Sequence, residues 1–220
     1  MIGMKRRRLR AAEIAPLGDA GLLVRFGTEL SDEANQAASN FARRLGRDPI
    51  AGVLEVVPSL VSVLVRYDPA RLSFQGLAGE LSLRMRGDKA SDPSHMHAIP
   101  VRFDGEDLVE VATALKLSVG EFVAAHNEQP LRVLTTGFAP GFVYCGLHAD
   151  NLVLPRRSSV RQRVVAGSVL FAAGQTAIAA TDLPTGWHVI GHTEFRNFDP
   201  SANPPTVLRA GDLVQFRALA

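Results

Sequence analysis

The segment between residues 137 and 146 has the composition of a ligand-binding loop. It reads GFAPGFVYCG, with three glycines, one proline and three aromatic residues in ten positions. Glycine lets the backbone adopt a positive φ or approach a ligand closely, and aromatic rings form a rigid apolar wall. Two interpretations fit: the lip of a pocket, or a tight barrel corner whose rings enter the core. The candidate pocket residues are Phe138, Pro140, Gly141, Phe142 and Tyr144.

A group of arginines follows this loop. Arg156 and Arg157 come directly after Pro155, and Arg161 and Arg163 lie a few positions further on. The planar guanidinium group binds carboxylate or phosphate through paired hydrogen bonds. The segment therefore predicts either a site for an anionic substrate or nucleotide, with Arg156, Arg157 and Arg163 as its cations, or an exposed charged loop.

A short polar string, Gly174-Gln175-Thr176, separates two apolar runs. The Gln175 amide can both donate and accept hydrogen bonds, and Thr176 adds a hydroxyl, so the pair suits recognition of a small polar amide. The same residues suit an ordinary β-turn. The chain contains no G-x-x-x-x-G-K-[ST] phosphate-binding loop.

The histidines indicate acid–base chemistry more than metal binding. On one strand His188 and His192, beside the single Trp187, would share a face about 13 Å apart, too far to bind one ion directly. We therefore expect no metal site. His126 falls at the end of a predicted helix, where it either complements the helix dipole or acts as a pocket acid or base. Cys145 is expected to be a packed thiol, and no G-x-S-x-G nucleophile elbow occurs.

Composition excludes several classes of protein. The chain has 220 residues, 46% hydrophobic and 21% charged, with a net charge of +2, which is typical of a globular protein. Five basic residues lie between Lys5 and Arg10, and without them 19 basic side chains face 22 acidic ones. A basic face for nucleic acid is therefore not expected, and the basic run is either a solvated tail or a phosphate-binding arm.

A single cysteine excludes an internal disulfide framework and a cysteine-based zinc site, which fits a reducing cytoplasm. The N-terminus lacks the apolar region of a signal peptide, and no apolar run reaches about 18 residues, the length of a membrane span. The sequence thus predicts a cytoplasmic protein with no nucleic acid and no membrane as partner.

The first part of the chain alternates strands and helices. We predict a strand over residues 11–27 interrupted by a turn, a helix capped by Ser31, two strands within 51–67 joined at Pro58-Ser59, and a helix from Phe74 to Met85. A linker is predicted over residues 87–95. The strand from His97 to Phe103 would close this sheet or begin the next unit. The order strand–helix–strand–strand–helix–strand is typical of a ferredoxin-like domain.

The rest of the chain turns from helical to strand patterns. Asp107 and Glu110 fit the start of a helix through Leu117, and Ser118 with Glu121 fits a capping box for the next helix. Short apolar runs bounded by Gly, Pro, Asn or Asp then occur at 131–134, 151–154, 168–172, 176–180, 187–190 and 212–217. This spacing favours an antiparallel barrel or sandwich.

The motifs together resemble the allophanate hydrolase subunit 1 family, which is also called the KipI family and includes the B subunits of 5-oxoprolinase. The resemblance runs over most of residues 16–218 and is carried by GFAPGFVYCG, PRRSSVRQRVVAGSV, GQT, GWHVIGHT and RAGDLVQF. It implies a cyclophilin-like β-barrel at the C-terminus. Combined with the patterns above, the expected fold is α+β: a small ferredoxin-like α/β domain over residues 11–90, followed by a cyclophilin-like β-barrel domain over residues 91–220.

The resemblance also implies an activity. Such proteins act as non-autonomous subunits of an ATP-dependent amide or lactam hydrolase, most often 5-oxoprolinase. They work with an allophanate hydrolase subunit 2-type protein (the C-type subunit of 5-oxoprolinase) and in many bacteria with a third, LamB/YcsF-type protein (the A-type subunit). ATP would bind at the assembled complex. Two alternatives stay open: a KipI-like inhibitor that binds a histidine kinase, and an amide-binding carboxyltransferase subunit of a urea carboxylase-type enzyme.

Within that family pattern the residues receive expected roles. His126 or His192 would move a proton, the arginines would hold phosphate or a substrate carboxylate, and Gln175 with Thr176 would orient the amide. The aromatic residues, Trp187 included, and the Gly174 turn would shape the pocket. The sequence departs from the family where a pocket arginine is replaced by His192, so an anion contact there would be weaker and dependent on pH.

Overall fold

The computed structural model describes residues 12–85 and 95–219, which form two units on either side of the gap. The basic run, most of the predicted linker and the predicted domain boundary at 90–91 lie outside the described residues. No helix in the described ranges is both long enough and apolar enough to cross a membrane.

The first unit is a four-stranded antiparallel sheet with two helices. Its elements are β1 (Glu13–Pro16), β2 (Gly21–Arg25), α1 (Asp32–Arg47), β3 (Val53–Pro58), β4 (Ser62–Tyr67) and α2 (Phe74–Met85), and the strand order is β1-β2-β4-β3. Ser31 caps α1 by accepting a hydrogen bond from the Ala34 amide, as predicted. Phe41 and Leu45 of α1 pack with Leu77 and Leu81 of α2 in one core.

The region 11–27 differs from the single interrupted strand predicted for it. Gly18 adopts a φ of +65° and the chain reverses, so β1 and β2 pair as a hairpin. β1 therefore covers the edge of β2, and the later strand β5 (Met96–Val101) pairs in the second unit instead of closing this sheet. The mixed α/β character is as predicted, whereas the ferredoxin-like assignment stays a prediction.

The second unit is built on a seven-stranded curled sheet. Its remaining elements are α3 (Leu108–Ala114), α4 (Val119–His126), β6 (Leu131–Thr136), β7 (Val143–Gly146), β8 (Arg161–Val164), β9 (Ser168–Ala172), β10 (Gln175–Ile178), β11 (Leu183–Thr185), β12 (His188–His192) and β13 (Leu213–Ala218). The order is β12-β9-β10-β7-β6-β13-β5, and β8 and β11 form a separate two-stranded ribbon.

The two edges of this sheet meet. Beyond β5, Arg102 forms an antiparallel bridge with His192 at the end of β12, and their backbones exchange hydrogen bonds of 2.9 and 2.8 Å. The sheet therefore curls on itself, consistent with a cyclophilin-like barrel. One face of the sheet packs with α3 and α4, and we call it the helix face. The other packs with Val164 and Leu183 of the ribbon, and we call it the ribbon face.

Three local predictions have different outcomes. The capping box of α4 is confirmed, since Ser118 and Glu121 each bond the backbone of the other. The helix predicted from Asp107 through Leu117 is shorter, and the Asp107 side chain makes no capping hydrogen bond. Residues 151–154 form no strand, because Asp150–Leu152 is a 3-10 turn that ends before Pro155.

Candidate functional site

The aromatic residues predicted to line a pocket form a continuous row on the ribbon face. Neighbouring ring centroids lie 5.5 Å apart for Phe138 and Phe142, 4.9 Å for Phe142 and Tyr144, and 5.7 Å for Tyr144 and Trp187. The Arg156 guanidinium continues the row, 5.7 Å from the centroid of the Trp187 ring. Phe142 and Trp187 are buried, whereas Phe138 is 71% exposed. The row thus runs from solvent into the ribbon-face core and out again to a cation.

The loop that starts this row depends on its glycines. Gly137 and Gly141 have positive φ values of +130° and +68°, and Phe138 shares this conformation at +77°. A Cβ on Gly141 would lie 2.5 Å from the Phe198 Cβ, so only glycine fits there. The Gly141 carbonyl accepts a hydrogen bond of 2.8 Å from Asn197 Nδ2. Asn197, which is fully buried, anchors the loop and carried no signal in the sequence.

Gln175 lies on the same face as this row. It precedes Ala177 by two positions on β10, and Ala177 belongs to the ribbon-face core with Trp187. The register of β10 and β7 places Gln175 opposite Gly146, where an added Cβ would meet the Gln175 Cγ at 3.2 Å. Gln175 is 8% exposed, and its buried Oε1 has no hydrogen-bond partner among the described residues.

An unpartnered buried acceptor is costly, since it loses its water without regaining a hydrogen bond. A donor such as an amide N–H would satisfy it. Tyr144 adds a hydroxyl to the same neighbourhood, and burial raises the pKa of that phenol while the charge of Arg156 opposes the rise. The ribbon face therefore combines an amide acceptor, aromatic walls and a cation, which together suit a small polar molecule that carries both an N–H group and an anionic group.

Of the four arginines, only Arg156 has no carboxylate partner among the described residues. Arg157 and Arg161 both bind the Asp107 carboxylate, the latter through two contacts of 2.8 Å. Arg163 binds Asp182 with an Nε to Oδ2 distance of 2.9 Å. The structure therefore gives Arg157 and Arg163, predicted to hold phosphate or substrate carboxylate, carboxylate partners within the chain itself.

Asp107 has a different role from the helix cap that the sequence predicted. Predicted to cap α3, it instead accepts hydrogen bonds from Arg157, Arg161 and the Val189 backbone amide. Its side chain is 6% exposed. Asp107 therefore joins the start of α3, the arginine segment and β12, and this structural role accounts for two of the four arginines, Arg157 and Arg161.

Thr176 points to the opposite face from Gln175 and meets two histidines. Its Oγ1 lies 2.8 Å from His126 Nε2 and 2.8 Å from His148 Nε2. The two imidazole centroids are 4.7 Å apart, and His126 Nδ1 lies 2.7 Å from Asn127 Oδ1. The structure thus joins the predicted residues His126 and Thr176 and adds two that the sequence analysis missed, Asn127 and His148.

This polar cluster lies inside an apolar shell. Thr176 and His126 are buried, and four phenylalanine rings surround His126: Phe103, Phe122, Phe171 and Phe216. Burial lowers the pKa of His126 to about 4 and that of His148 to about 3. Both imidazoles are therefore neutral at physiological pH. Thr176 and His126 are too buried to contact a substrate. His126 can therefore influence a substrate only through its hydrogen bonds with Thr176 and, beyond it, His148.

The prediction that His188 and His192 share a face is wrong. A register shift in β12 places His188 opposite Phe171 and His192 opposite Ser168 of β9. Residues directly opposite each other on neighbouring strands point to the same face, and side chains alternate along a strand. Phe171 and Ser168 are three positions apart on β9 and point to opposite faces, so His188 and His192 do so too. His188 Nε2 contacts the Pro155 carbonyl at 3.1 Å, whereas His192, at the barrel seam, pairs with Asp104 at 2.7 Å.

The remaining predictions concern thiol and metal chemistry. Burial raises the pKa of Cys145 to about 12, and the side chain packs in the helix-face core, as expected for an inert thiol. Within residues 12–85 and 95–219 no three His, Cys, Asp or Glu side chains are grouped so that they could hold a metal ion.

Comparison with known proteins gives consistent matches over nearly the whole chain. A family model described as carboxyltransferase domain, subdomain C and D, matches residues 12–208. A Bacillus subtilis protein named as the B subunit of 5-oxoprolinase is 35% identical over 93% of this chain and 91% of its own length. One from Haemophilus influenzae with the same name is 32% identical over 92% of this chain and 96% of its own length.

Solved structures agree with the fold. The crystal structure of TTHA0988 superimposes on 91% of this chain with a TM-score of 0.81 and 38% identity, although the chain spans only 40% of that protein. The Kluyveromyces lactis urea carboxylase matches 95% of this chain, which spans 22% of that protein, with a TM-score of 0.72 at 16% identity; this likeness shows the fold alone. The chain therefore belongs to the carboxyltransferase subdomain C and D family and, as its motifs predicted, to the group of 5-oxoprolinase B subunits.

Proposed function

We propose that this chain is the B-type subunit of an ATP-dependent 5-oxoprolinase, a non-autonomous part of a cytoplasmic hydrolase complex. The Bacillus subtilis relative, named as the B subunit of 5-oxoprolinase, matches over nine-tenths of both lengths, which supports this assignment. The observation in the structure that carries the proposal is the buried Gln175 Oε1, which has no partner in the described part of the chain and lies on the face that also holds the aromatic row and Arg156.

The substrate fits these groups one by one. A lactam with a ring N–H and a carboxylate offers a donor and an anion. Gln175 Oε1 would accept the ring N–H, and Arg156, which has no carboxylate partner of its own among the described residues, would pair with the carboxylate. Tyr144 and Trp187 would cover the ring and exclude water, which strengthens both polar contacts.

The reaction needs ATP because a lactam is a poor electrophile. Transfer of the terminal phosphoryl group to the lactam oxygen would make that oxygen a leaving group. Water would then attack the ring carbon, and the ring C–N bond would break with a proton from that water going to nitrogen, which leaves the side-chain acyl phosphate of glutamate. A second water would hydrolyse this acyl phosphate, so that glutamate, ADP and phosphate result. We assign ATP to the assembled complex, with a C-type partner and, where present, a LamB/YcsF-type partner.

The test is ADP release on addition of 5-oxoproline, measured with this chain alone, with the C-type partner, and with both partner types. We expect turnover only in the assembled complex. Full activity of the chain alone would contradict the non-autonomous role. Stimulation by urea and carboxybiotin, with none by 5-oxoproline, would replace the proposal with a carboxyltransferase function, and capture of a histidine kinase by a complex that shows neither activity would favour an inhibitor.

A further inference from the structure

The cluster on the helix face has only one consistent order of hydrogen bonds. Asn127 Oδ1 can only accept, so the proton of the 2.7 Å contact sits on His126 Nδ1. A neutral His126 then has a lone pair on Nε2, and the Thr176 hydroxyl must donate to it over 2.8 Å. The Thr176 oxygen is left to accept from His148 Nε2–H over 2.8 Å.

The order determines the tautomer of His148. With its proton on Nε2, the neutral ring has its lone pair on Nδ1. Burial keeps both rings neutral, and the titratable group that acts on His148 among the described residues is His126, which lowers the pKa of His148 further. The hydrogen bonds of Asn127, His126 and Thr176 thereby keep the lone pair of His148 on Nδ1, its outer nitrogen.

His148 is where this chain of hydrogen bonds reaches the surface. Thr176 and His126 are buried, whereas His148 is partly exposed. No hydrogen bond to His148 Nδ1 is found among the described residues, and this nitrogen is not one of the buried atoms without a partner, so it is accessible. Its backbone amide donates to the Gly174 carbonyl over 2.9 Å, and its ring packs 5.5 Å from that of Phe171. The ring is therefore held in place from two sides while Nδ1 remains available.

His148 also lies near the end of β10 that carries Gln175. Gly146, the residue opposite Gln175, is two positions before His148, and Gly174, the backbone partner of His148, directly precedes Gln175. Gln175 and His148 thus belong to the same rim of the sheet, formed by residues 146–148 and 174–176, with the Gln175 side chain on the ribbon face and the His148 ring packed on the helix face.

We propose that His148 Nδ1 accepts a hydrogen bond from the attacking water at this rim, and that Thr176, His126 and Asn127 are positioning residues that maintain its tautomer. This inference rests on the proposed hydrolase function. In this arrangement the water donates to His148 Nδ1, while the lactam ring N–H donates to Gln175 Oε1, so the two acceptors bind different protons. His148 orients the water so that a lone pair of its oxygen faces the ring carbon. The imidazole stays neutral throughout.

The tautomer is tested first, on the full chain without partners. Nitrogen-15 NMR of labelled histidine should show His148 protonated at Nε2 and unchanged between pH 5.5 and 8, with the exposed His95 as internal reference. Thr176→Val, which keeps the shape but removes the hydroxyl, should give a mixed tautomer, and Thr176→Ser should restore the wild-type spectrum. A wild-type His148 that carries its proton on Nδ1, or that titrates in this range, would overturn the inference.

The role of the tautomer is tested in the assembled complex. We expect Thr176→Val and His148→Ala to lower kcat for 5-oxoproline at least tenfold with little change in KM, and Thr176→Ser to recover most of the loss. If the wild-type complex hydrolyses 5-oxoproline and both variants match it, the inference is wrong and the proposed function stands. If the wild-type complex is inactive, the proposed function is wrong, and with it the role given to the water.

Discussion

Gln175 and Thr176 are consecutive residues of β10, yet their side chains serve opposite faces of the sheet. Gln175 lies with the ribbon-face core, and its Oε1 has no partner within residues 12–85 and 95–219. The Thr176 hydroxyl lies between two imidazoles on the helix face. The polar string that the sequence presents as one amide-recognition motif is therefore divided between two faces. Gln175 belongs to the proposed ligand site, and Thr176 belongs to the hydrogen-bonded chain that we propose orients His148.

Replacement of Gln175 by Met should separate stability from ligand binding. Met is similar in size but has no oxygen, so it removes a buried acceptor that lacks a partner and should raise the free energy of unfolding by about 1 kcal/mol. It also removes the proposed contact to the ring N–H, and KM for 5-oxoproline in the complex should rise about tenfold. Urea denaturation and ADP release measure the two effects.

Gln162→Met is the matched control for that variant, because Gln162 is an exposed residue of β8. It should change neither quantity. A Gln175→Met protein that is both less stable and fully active would show that the Gln175 amide has a structural role.

Replacement of Arg156 by Gln should weaken substrate binding without affecting folding. Arg156 is exposed and stacks on Trp187, so its charge is available to an anion. Loss of a charge-assisted contact of about 2 kcal/mol corresponds to a rise in KM of about thirtyfold. Arg217→Gln, an exposed arginine on β13, is the control and should leave KM unchanged. Equal KM values for the two variants would exclude Arg156 from the site.

Replacement of Asp107 by Asn should destabilise the second unit. The buried carboxylate binds two arginines and the Val189 amide. Removal of its charge leaves Arg157 and Arg161 with only the exposed carboxylates of Glu110 and Glu106 as partners. We expect the free energy of unfolding to fall by about 3 kcal/mol. Glu110→Gln removes an exposed carboxylate 3.8 Å from Arg157 and should cost less than about 1 kcal/mol. Similar losses in both variants would contradict the central role of Asp107.

The neutral histidines predict how stability depends on pH. The pKa of His126 is lowered to about 4 and that of His148 to about 3, whereas an unfolded histidine has a pKa near 6.5. Below pH 6.5 the unfolded chain binds more protons than the folded chain, so the free energy of unfolding should decline from that pH towards pH 4. His126→Gln should show a shallower decline in urea denaturation between pH 7.5 and 5. Equal declines would contradict a buried neutral His126.

Local patterns predicted the elements well and their pairing less well. The capped helices at Ser31 and Ser118 and the strands around 131–136 and 168–172 follow from caps and short apolar runs, which are properties of neighbouring residues. The β1–β2 hairpin was not predicted, because an interrupted strand and two paired strands joined by a turn contain the same residue types. The register shift in β12 was missed because one extra residue in a strand leaves no signal in its residue types.

The family, the strand-rich second unit and the residue types available for chemistry follow from the amino-acid sequence, because motif strings and hydrophobic periodicity are properties of neighbouring residues. Which of these residues lie together depends on the three-dimensional fold. Pairing of distant strands places Gln175 on the face of Trp187 and Thr176 between His126 and His148, while Asp107 neutralises arginines 50 and 54 positions away. Which cation stays free and which acceptor stays unsatisfied depends on contacts between residues far apart in the chain, and these exist only once the sheet has curled and closed.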